Sequence, residues 1–230
     1  MQRTLLRVTF LFALTLRAFP LAAAEPEEDS QFARWEPAIA AFERSDAEQP
    51  PAPGGVLFVG SSSIRLWKLE ESFPELGALN RGFGGSKISD ALHFADRIIL
   101  PYKPRIIVLY SGGNDLTARR EPAEIAADFR KLSALLAREL PETKLIYISL
   151  KPAPARWEMI DKIRETNRLI RESIEGDERR VFLDMEAAML TAEGKPDPSL
   201  HIQDGLHLNA AGYAIWAKAL EPHLNVEEKP

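Results

Sequence analysis

The sequence predicts an α/β protein: a three-layer αβα sandwich around a central parallel sheet of about five strands. Two observations support this class. Short apolar runs rich in β-branched residues show little polar alternation, as expected of parallel strands covered on both faces. Helical patterns of 11 to 16 residues lie between and beside these runs. Strands that alternate with helices connect through right-handed crossovers, which makes the sheet parallel.

The predicted strands are short, and several are followed directly by glycine or serine. The first is "VLFVG", and the second, "ALNRGFGG", is a weaker candidate because it contains polar residues. Three further apolar runs complete the set. The predicted strands occupy residues 56–60, 78–85, 105–110, 144–149 and 180–184.

Helices are predicted from apolar residues that recur every three or four positions. The first begins near Ser30 and ends before the Pro-rich connector "AEQPPAPGG". A second stripe is stopped by Pro101, and a third is bounded by Pro122 and Pro141, which suit helix boundaries. The apolar positions of these helices extend over residues 32–42, 88–99, 125–140 and 160–174, and a last helix covers 209–221.

The N-terminus has the pattern of a secretory signal peptide. Arg3 and Arg7 precede an apolar run, and Ala22 and Ala24 form a small-residue cleavage site. The alternative is a badly formed membrane anchor, but the run is too short to span a bilayer. We therefore expect residues 1–24 to be a signal peptide, 25–55 an N-terminal helix and connector, and 56–230 the main domain. The protein is expected in the periplasm or outside the cell, without a stable membrane anchor.

Charge and cysteine content exclude several classes of function. Removing residues 1–24, with three arginines and no acidic residue, takes the net charge from −5 to −8. An acidic chain without basic clusters argues against nucleic acid as a partner. The chain has no cysteine, so disulfides and thiolate nucleophiles are excluded.

Candidate site residues follow the predicted strands, where parallel α/β sheets bind their ligands. "GSSSIRLW" (60–67) follows the first strand, "NRGFGGSK" (80–87) the second and "YSGGNDL" (110–116) the third. Each has an ordinary structural explanation: serines cap helices, and glycine and asparagine form turns. None is a G-x-G-x-x-G fingerprint or a phosphate loop.

A fourth candidate, "DGLHLNAAGY" (204–213), precedes the last helix. Asp204 and His207 are three residues apart, so on a turn they lie on one side. A carboxylate there can hold the imidazole Nδ1–H and leave Nε2 as a base. Two alternatives are a histidine of purely structural role and a metal site formed by His201, Asp204 and His207.

The order of the four stretches resembles the blocks of the SGNH, or GDSL-type, hydrolase superfamily. In chain order, the four blocks are Ser after strand one, Gly after strand two, G-x-N-D after strand three and D-x-x-H before the last helix. The resemblance extends from about Val56 to Trp216. It implies a flavodoxin-like sheet, a serine esterase mechanism, and no metal or organic cofactor. The α/β-hydrolase elbow G-x-S-x-G is absent, because Ile64 stands where its second glycine would be.

The resemblance also implies a role for single residues. Ser62 aligns with the nucleophile, although Ser61 replaces the usual Asp of the first block. His207 aligns with the general base and Asp204 with its partner. Two residues, Gly85 and Asn114, are expected to complete an oxyanion hole with the N–H of Ser62.

The substrate is not specified by these motifs. We expect a small-molecule or carbohydrate ester with a short acyl or O-acetyl group, because no long apolar lid segment is present. Trp157 and Ser86 are predicted to line the substrate site. The alternatives are a thioesterase or lysophospholipase, or a carbohydrate-binding relative without activity.

Overall fold

The computed structural model describes residues 31–224 and contains one sheet of five parallel strands. The strand order is β2-β1-β3-β4-β5, which confirms the predicted α/β class with its parallel sheet. The predicted signal peptide lies outside the described residues and stays a prediction. The strands are β1 Val56–Gly60, β2 Leu79–Gly82, β3 Ile106–Tyr110, β4 Lys144–Ile148 and β5 Arg180–Leu183.

The helices agree with the predicted stripes except in one region. The stripe predicted over 88–99 is divided, because the chain leaves helical geometry at Phe94 (φ −90°, ψ 7°). The ring of Phe94 is buried and packs edge-on against Phe32 and Phe83. The α-helices are α1 Glu36–Glu48, α2 Ser62–Arg65, α3 Leu69–Ser72, α4 Ile88–His93, α5 Ala95–Ile98, α6 Gly113–Thr117, α7 Pro122–Glu139, α8 Ile160–Ser173 and α9 Ala210–Leu224.

The sheet is covered by helices on both faces. Every residue of β1 and β3 is buried, as required of strands at the centre of a parallel sheet. Helix α7 contacts α4 and α8, whereas α3 contacts α9. Helix α1 packs onto this core through Ile39, which is fully buried. Among residues 31–224, no helix has both the length and the apolar character needed to cross a membrane.

Helix α2 is held tightly against the ends of β1, β2 and β3. Gly60 adopts φ +146°, and a Cβ there would lie 2.0 Å from the carbonyl oxygen of Tyr110. The N–H of Ser61 donates to that same oxygen at 3.1 Å. On the other side, the amide of Asn80 donates to the Ile64 carbonyl at 2.8 Å. The first residue of α2, Ser62, is therefore fixed at the carboxyl edge of the sheet.

The substitution Gly82→Ala tests the close contact between β2 and α2. A Cβ at position 82 would lie 2.2 Å from the backbone nitrogen of Arg65, so we expect Gly82→Ala to displace α2 and destabilise the fold by about 1–3 kcal/mol. Chemical denaturation measures this change. Gly55→Ala is the control, because its nearest neighbour, the Ala52 carbonyl oxygen, would lie 3.8 Å away. Equal stability of the two variants would contradict the packing described.

Candidate active site

Ser62, His207 and Asp204 form a continuous hydrogen-bonded chain at the carboxyl edge of the sheet. His207 Nε2 lies 2.8 Å from Ser62 Oγ, and His207 Nδ1 lies 2.6 Å from Asp204 Oδ2. An ionised carboxylate only accepts hydrogen bonds, so the proton of a neutral imidazole resides on Nδ1. Nε2 then accepts from the Ser62 hydroxyl. This arrangement can activate a hydroxyl as a nucleophile.

The loop that carries Asp204 and His207 is closed by backbone hydrogen bonds. His201 and Leu208 form an antiparallel bridge, and the N–H of Ile202 donates to the His207 carbonyl at 2.9 Å. Within the loop, Asp204 Oδ1 accepts from the N–H of His207 at 2.9 Å. The backbone itself therefore sets the orientation of the carboxylate toward the imidazole.

The electrostatics of the loop keep Asp204 ionised. Burial disfavours its charged form, but the hydrogen bond from the His207 ring and those from the N–H groups of His207 and Leu206 outweigh it. Together they lower the pKa of Asp204 to about 2. The carboxylate therefore stays negative at neutral pH and can stabilise a protonated imidazole.

Two backbone N–H groups near the carboxyl edge of the sheet have no acceptor in the described part of the chain. Within residues 31–224, the N–H groups of Ser62 and Gly85 donate no hydrogen bond to a protein acceptor. Ser62 begins α2, where backbone donors are unpaired. Gly85 lies in the turn that follows β2. Both residues line the same pocket.

Asn114 brings a third donor to this pocket. Its Nδ2 donates to the Ser86 carbonyl at 3.0 Å, which leaves the second amide hydrogen available. The neighbouring Asp115 is fully buried and accepts hydrogen bonds from the N–H of Ile88 and from Arg120. Burial raises the pKa of Asp115 to about 6, although Arg120 opposes this shift. Asp115 thus joins helix α6, which follows β3, to helix α4.

The pocket around Ser62 is shallow and open, with a volume of about 470 Å³. Among residues 31–224, Leu206 is the only aliphatic side chain that lines it, and much of the remaining wall is glycine backbone or polar. The lining residues are Ser62, Arg65, Gly84, Gly85, Asn114, Leu206 and His207.

The structure places two predicted lining residues away from this wall. The Ser86 hydroxyl is fully buried and donates to the Gly60 carbonyl at 3.3 Å, so Ser86 contributes its backbone carbonyl to Asn114 instead. The ring of Trp157 lies 5.0 Å from the Lys195 ammonium and is not part of the pocket lining. A role for Trp157 in binding a larger substrate stays a prediction.

The described part of the chain contains no set of side chains that could form the metal site considered as an alternative. No group of three His, Asp or Glu side chains within residues 31–224 is arranged to hold a metal ion. His201 Nδ1 lies 2.9 Å from the Asp197 carbonyl oxygen, and both His207 nitrogens are engaged with Ser62 and Asp204.

Sequence reasoning missed two residues that support the site. Arg156 donates to Asn114 Oδ1 at 2.7 Å, and the Tyr213 hydroxyl donates to the Ser63 carbonyl at 2.8 Å. The motif blocks do not contain Arg156, and Tyr213 resembles any aromatic residue of a packed helix. Only the fold brings them to the site.

The fold and the hydroxyl–imidazole–carboxylate chain are suited to a hydrolase that acts on acyl groups. The sequence model of the GDSL-like Lipase/Acylhydrolase family matches residues 64–215. The chain belongs to this family, as its motif blocks predict, and is an acylhydrolase that acts on esters. The matched range begins two residues after Ser62.

Individual relatives are similar to this chain in sequence or in fold. The chain is 26% identical over 211 residues to platelet-activating factor acetylhydrolase IB subunit alpha1 of Rattus norvegicus, with 87% of each chain covered. Its fold is similar to a GDSL-like lipase from Bacteroides thetaiotaomicron (TM-score 0.66, 20% identity, 86% of this chain and 98% of that one). It is also similar to a catalytic mutant of an acetylxylan esterase from Geobacillus stearothermophilus (TM-score 0.62, 18% identity, 76% and 96%).

The contact with His207 distinguishes Ser62 from its two neighbours. Ser61 and Ser63 are buried at 7% and 3% exposure and have no hydrogen bond to the imidazole. We expect a fluorophosphonate to label wild-type protein at Ser62, as mapped by mass spectrometry, and Ser62→Ala to abolish the labelling. Ser61→Ala and Ser63→Ala are the matched controls and should still be labelled. A label on Ser61 or Ser63 would show that another serine is the nucleophile.

Proposed function

We propose that the protein is a serine esterase that removes short acyl groups, acetyl above all, through an acyl-enzyme on Ser62. The observation that carries the proposal is the continuous chain from Ser62 Oγ through His207 to the ionised Asp204. A carbohydrate-binding relative without activity would have no need to keep these three side chains in line.

In the first half of the reaction, His207 Nε2 takes the proton of Ser62 as Oγ attacks the carbonyl carbon of the ester. The tetrahedral intermediate collapses, its bond to the alcohol oxygen breaks, and His207 returns the proton to that oxygen. Asp204 holds the imidazole in orientation and stabilises its protonated form. Water then attacks the acyl-enzyme while His207 takes its proton. The bond between Ser62 Oγ and the acyl carbon breaks, His207 returns the proton to Oγ, and the carboxylic acid leaves.

Three donors are proposed to stabilise the negative oxygen of each tetrahedral intermediate: the N–H groups of Ser62 and Gly85 and the side-chain amide of Asn114. Their value lies in the transition state, where the substrate oxygen gains nearly a full charge. Removing one such donor typically lowers kcat by about 10²–10³-fold.

The shape of the pocket supports a small acyl group. An apolar groove of about 590 Å³, larger than the pocket at Ser62, lies between helices α3 and α9. The groove and the pocket share no lining residue. An extended acyl chain bound at Ser62 would therefore gain little apolar contact. The small pocket favours an esterase over a lysophospholipase or a thioesterase for long acyl chains.

The names of two relatives support the same acyl group. One is a platelet-activating factor acetylhydrolase and the other an acetylxylan esterase, so the alcohols differ but the acyl group is acetyl in both. Solved structures of the second enzyme include catalytic mutants in which a histidine or a serine is replaced by alanine. This pair of residue types matches His207 and Ser62.

A series of p-nitrophenyl esters from acetate to octanoate tests the proposal. We expect kcat/KM to be highest for acetate and to fall about tenfold or more by octanoate, because the added methylenes find no apolar wall. Ser62→Ala is the control for background hydrolysis. A rate that rises with chain length would favour the lysophospholipase or thioesterase alternatives. Folded protein without activity on any ester would favour the carbohydrate-binding alternative.

A further inference from the structure

Arg156 lies between Asn114 and the loop that carries Asp204 and His207. It follows β4, in a short 3₁₀ helix at Pro154–Met159. The N–H of the preceding residue, Ala155, donates to the Gly205 carbonyl at 3.0 Å, inside the loop that carries Asp204 and His207. The Arg156 guanidinium reaches the other way and donates to Asn114 Oδ1 at 2.7 Å.

The Arg156 guanidinium occupies the space beside Gly113, where the absence of a side chain leaves room for it. A Cβ on Gly113 would lie 2.3 Å from Arg156 Nη1, so a side chain at this position would displace the guanidinium from its place beside the first residue of α6. The first glycine of the G-x-N-D block, Gly112, adopts φ +123°, so its backbone conformation explains that glycine. Gly113 has no such φ, and the explanation we find for it is contact with Arg156.

The charge of Arg156 is not neutralised by a carboxylate. Within residues 31–224, Arg156 forms no ion pair, although it is partly buried. Burial lowers the pKa of the Arg156 guanidinium, the direction expected when a cation is placed away from water without a counter-ion. Such placement costs stability, so a compensating role is expected.

The partners of Asn114 fix the orientation of its amide. Arginine only donates hydrogen bonds, so the atom that faces Arg156 must be Oδ1. A carbonyl only accepts, so the atom that faces Ser86 must be Nδ2. Without Arg156, the Ser86 carbonyl alone would hold the amide. A cation on Oδ1 also polarises the amide and makes the remaining N–H a stronger donor.

We propose that Arg156 is a positioning residue for the oxyanion hole: it orients and polarises the Asn114 amide, so that the free Nδ2–H stabilises the negative oxygen formed at Ser62. This inference rests on the proposed function and adds to it a residue outside the four motif blocks. Arg156 is not one of the residues that line the pocket, so we assign it a positioning role. Its positive charge acts through Asn114 when charge develops in the transition state.

A double-mutant cycle on kcat tests the inference with Arg156→Ala, Asn114→Ala and the double variant. We expect Arg156→Ala to lower kcat for p-nitrophenyl acetate by roughly 10- to 100-fold with little change in KM. The double variant should be no slower than Asn114→Ala, because Arg156 has nothing to act on once the amide is removed. Losses that multiply in the double variant, or a wild-type kcat in Arg156→Ala, would overturn the inference.

Further variants separate charge from folding. Arg156→Lys keeps the charge and a donor and should recover part of kcat, whereas Arg156→Met keeps much of the apolar stem and should not. Arg164→Ala, which removes an exposed ion pair with Glu186, is the matched control and should leave kcat unchanged. Equal kcat in the Lys and Met variants would contradict a role for the charge.

The rate of fluorophosphonate labelling provides a second readout that needs no ester substrate. Ser62 Oγ attacks phosphorus while His207 takes its proton and fluoride leaves, and negative charge develops on the phosphoryl oxygen at the proposed donors in the transition state. Arg156→Ala should therefore slow labelling by a factor similar to that for kcat. If wild-type protein is labelled at Ser62 and hydrolyses esters but Arg156→Ala matches it in both assays, only the inference fails. If folded wild-type protein does neither, the proposed function fails and the inference fails with it.

Discussion

The hydrogen bond between Ser62 Oγ and His207 Nε2 joins two segments that are 145 residues apart, and the site depends on it. Both ends are fixed by neighbouring backbone. On the Ser62 side, close contacts at Gly60 and Gly82 seat helix α2 on the sheet. On the His207 side, the loop is closed by the bridge at its base, and Tyr213 in α9 donates to the Ser63 carbonyl of α2. The imidazole therefore meets the hydroxyl without rearrangement of either segment.

The strand order explains why the remaining groups meet at the same point. Strand β1 lies between β2 and β3, so the turns that follow these three strands converge at the carboxyl edge of the sheet. They bring Ser62, Gly85 and Asn114 to one pocket. Strand β4 is the next neighbour of β3, which places the segment after β4 within reach of Asn114. A charge on Arg156 can thus act on the pocket without lining it.

Apolar, β-branched runs made the strands predictable, because strands buried on both faces leave little room for polar residues. Strand β1 agrees residue for residue, and the others differ by only a few residues at their ends. The motif blocks indicated which turns meet, but not the contacts beneath them. The break at Phe94 depends on contacts with the rings of Phe32 and Phe83. The contact between Arg156 and Asn114 joins residues that are 42 apart in the sequence, and no motif block contains Arg156. Local pattern cannot reveal such contacts, because only the assembled sheet creates them.

The most direct test of a single acyl site served by Ser62, His207 and the three donors is a crystal structure of the fluorophosphonate adduct. We expect phosphorus to be bonded to Ser62 Oγ, with the phosphonyl oxygen within about 2.7–3.1 Å of the backbone nitrogens of Ser62 and Gly85 and of Asn114 Nδ2. A phosphonyl oxygen directed away from Gly85 and Asn114, or an adduct on another side chain, would contradict it.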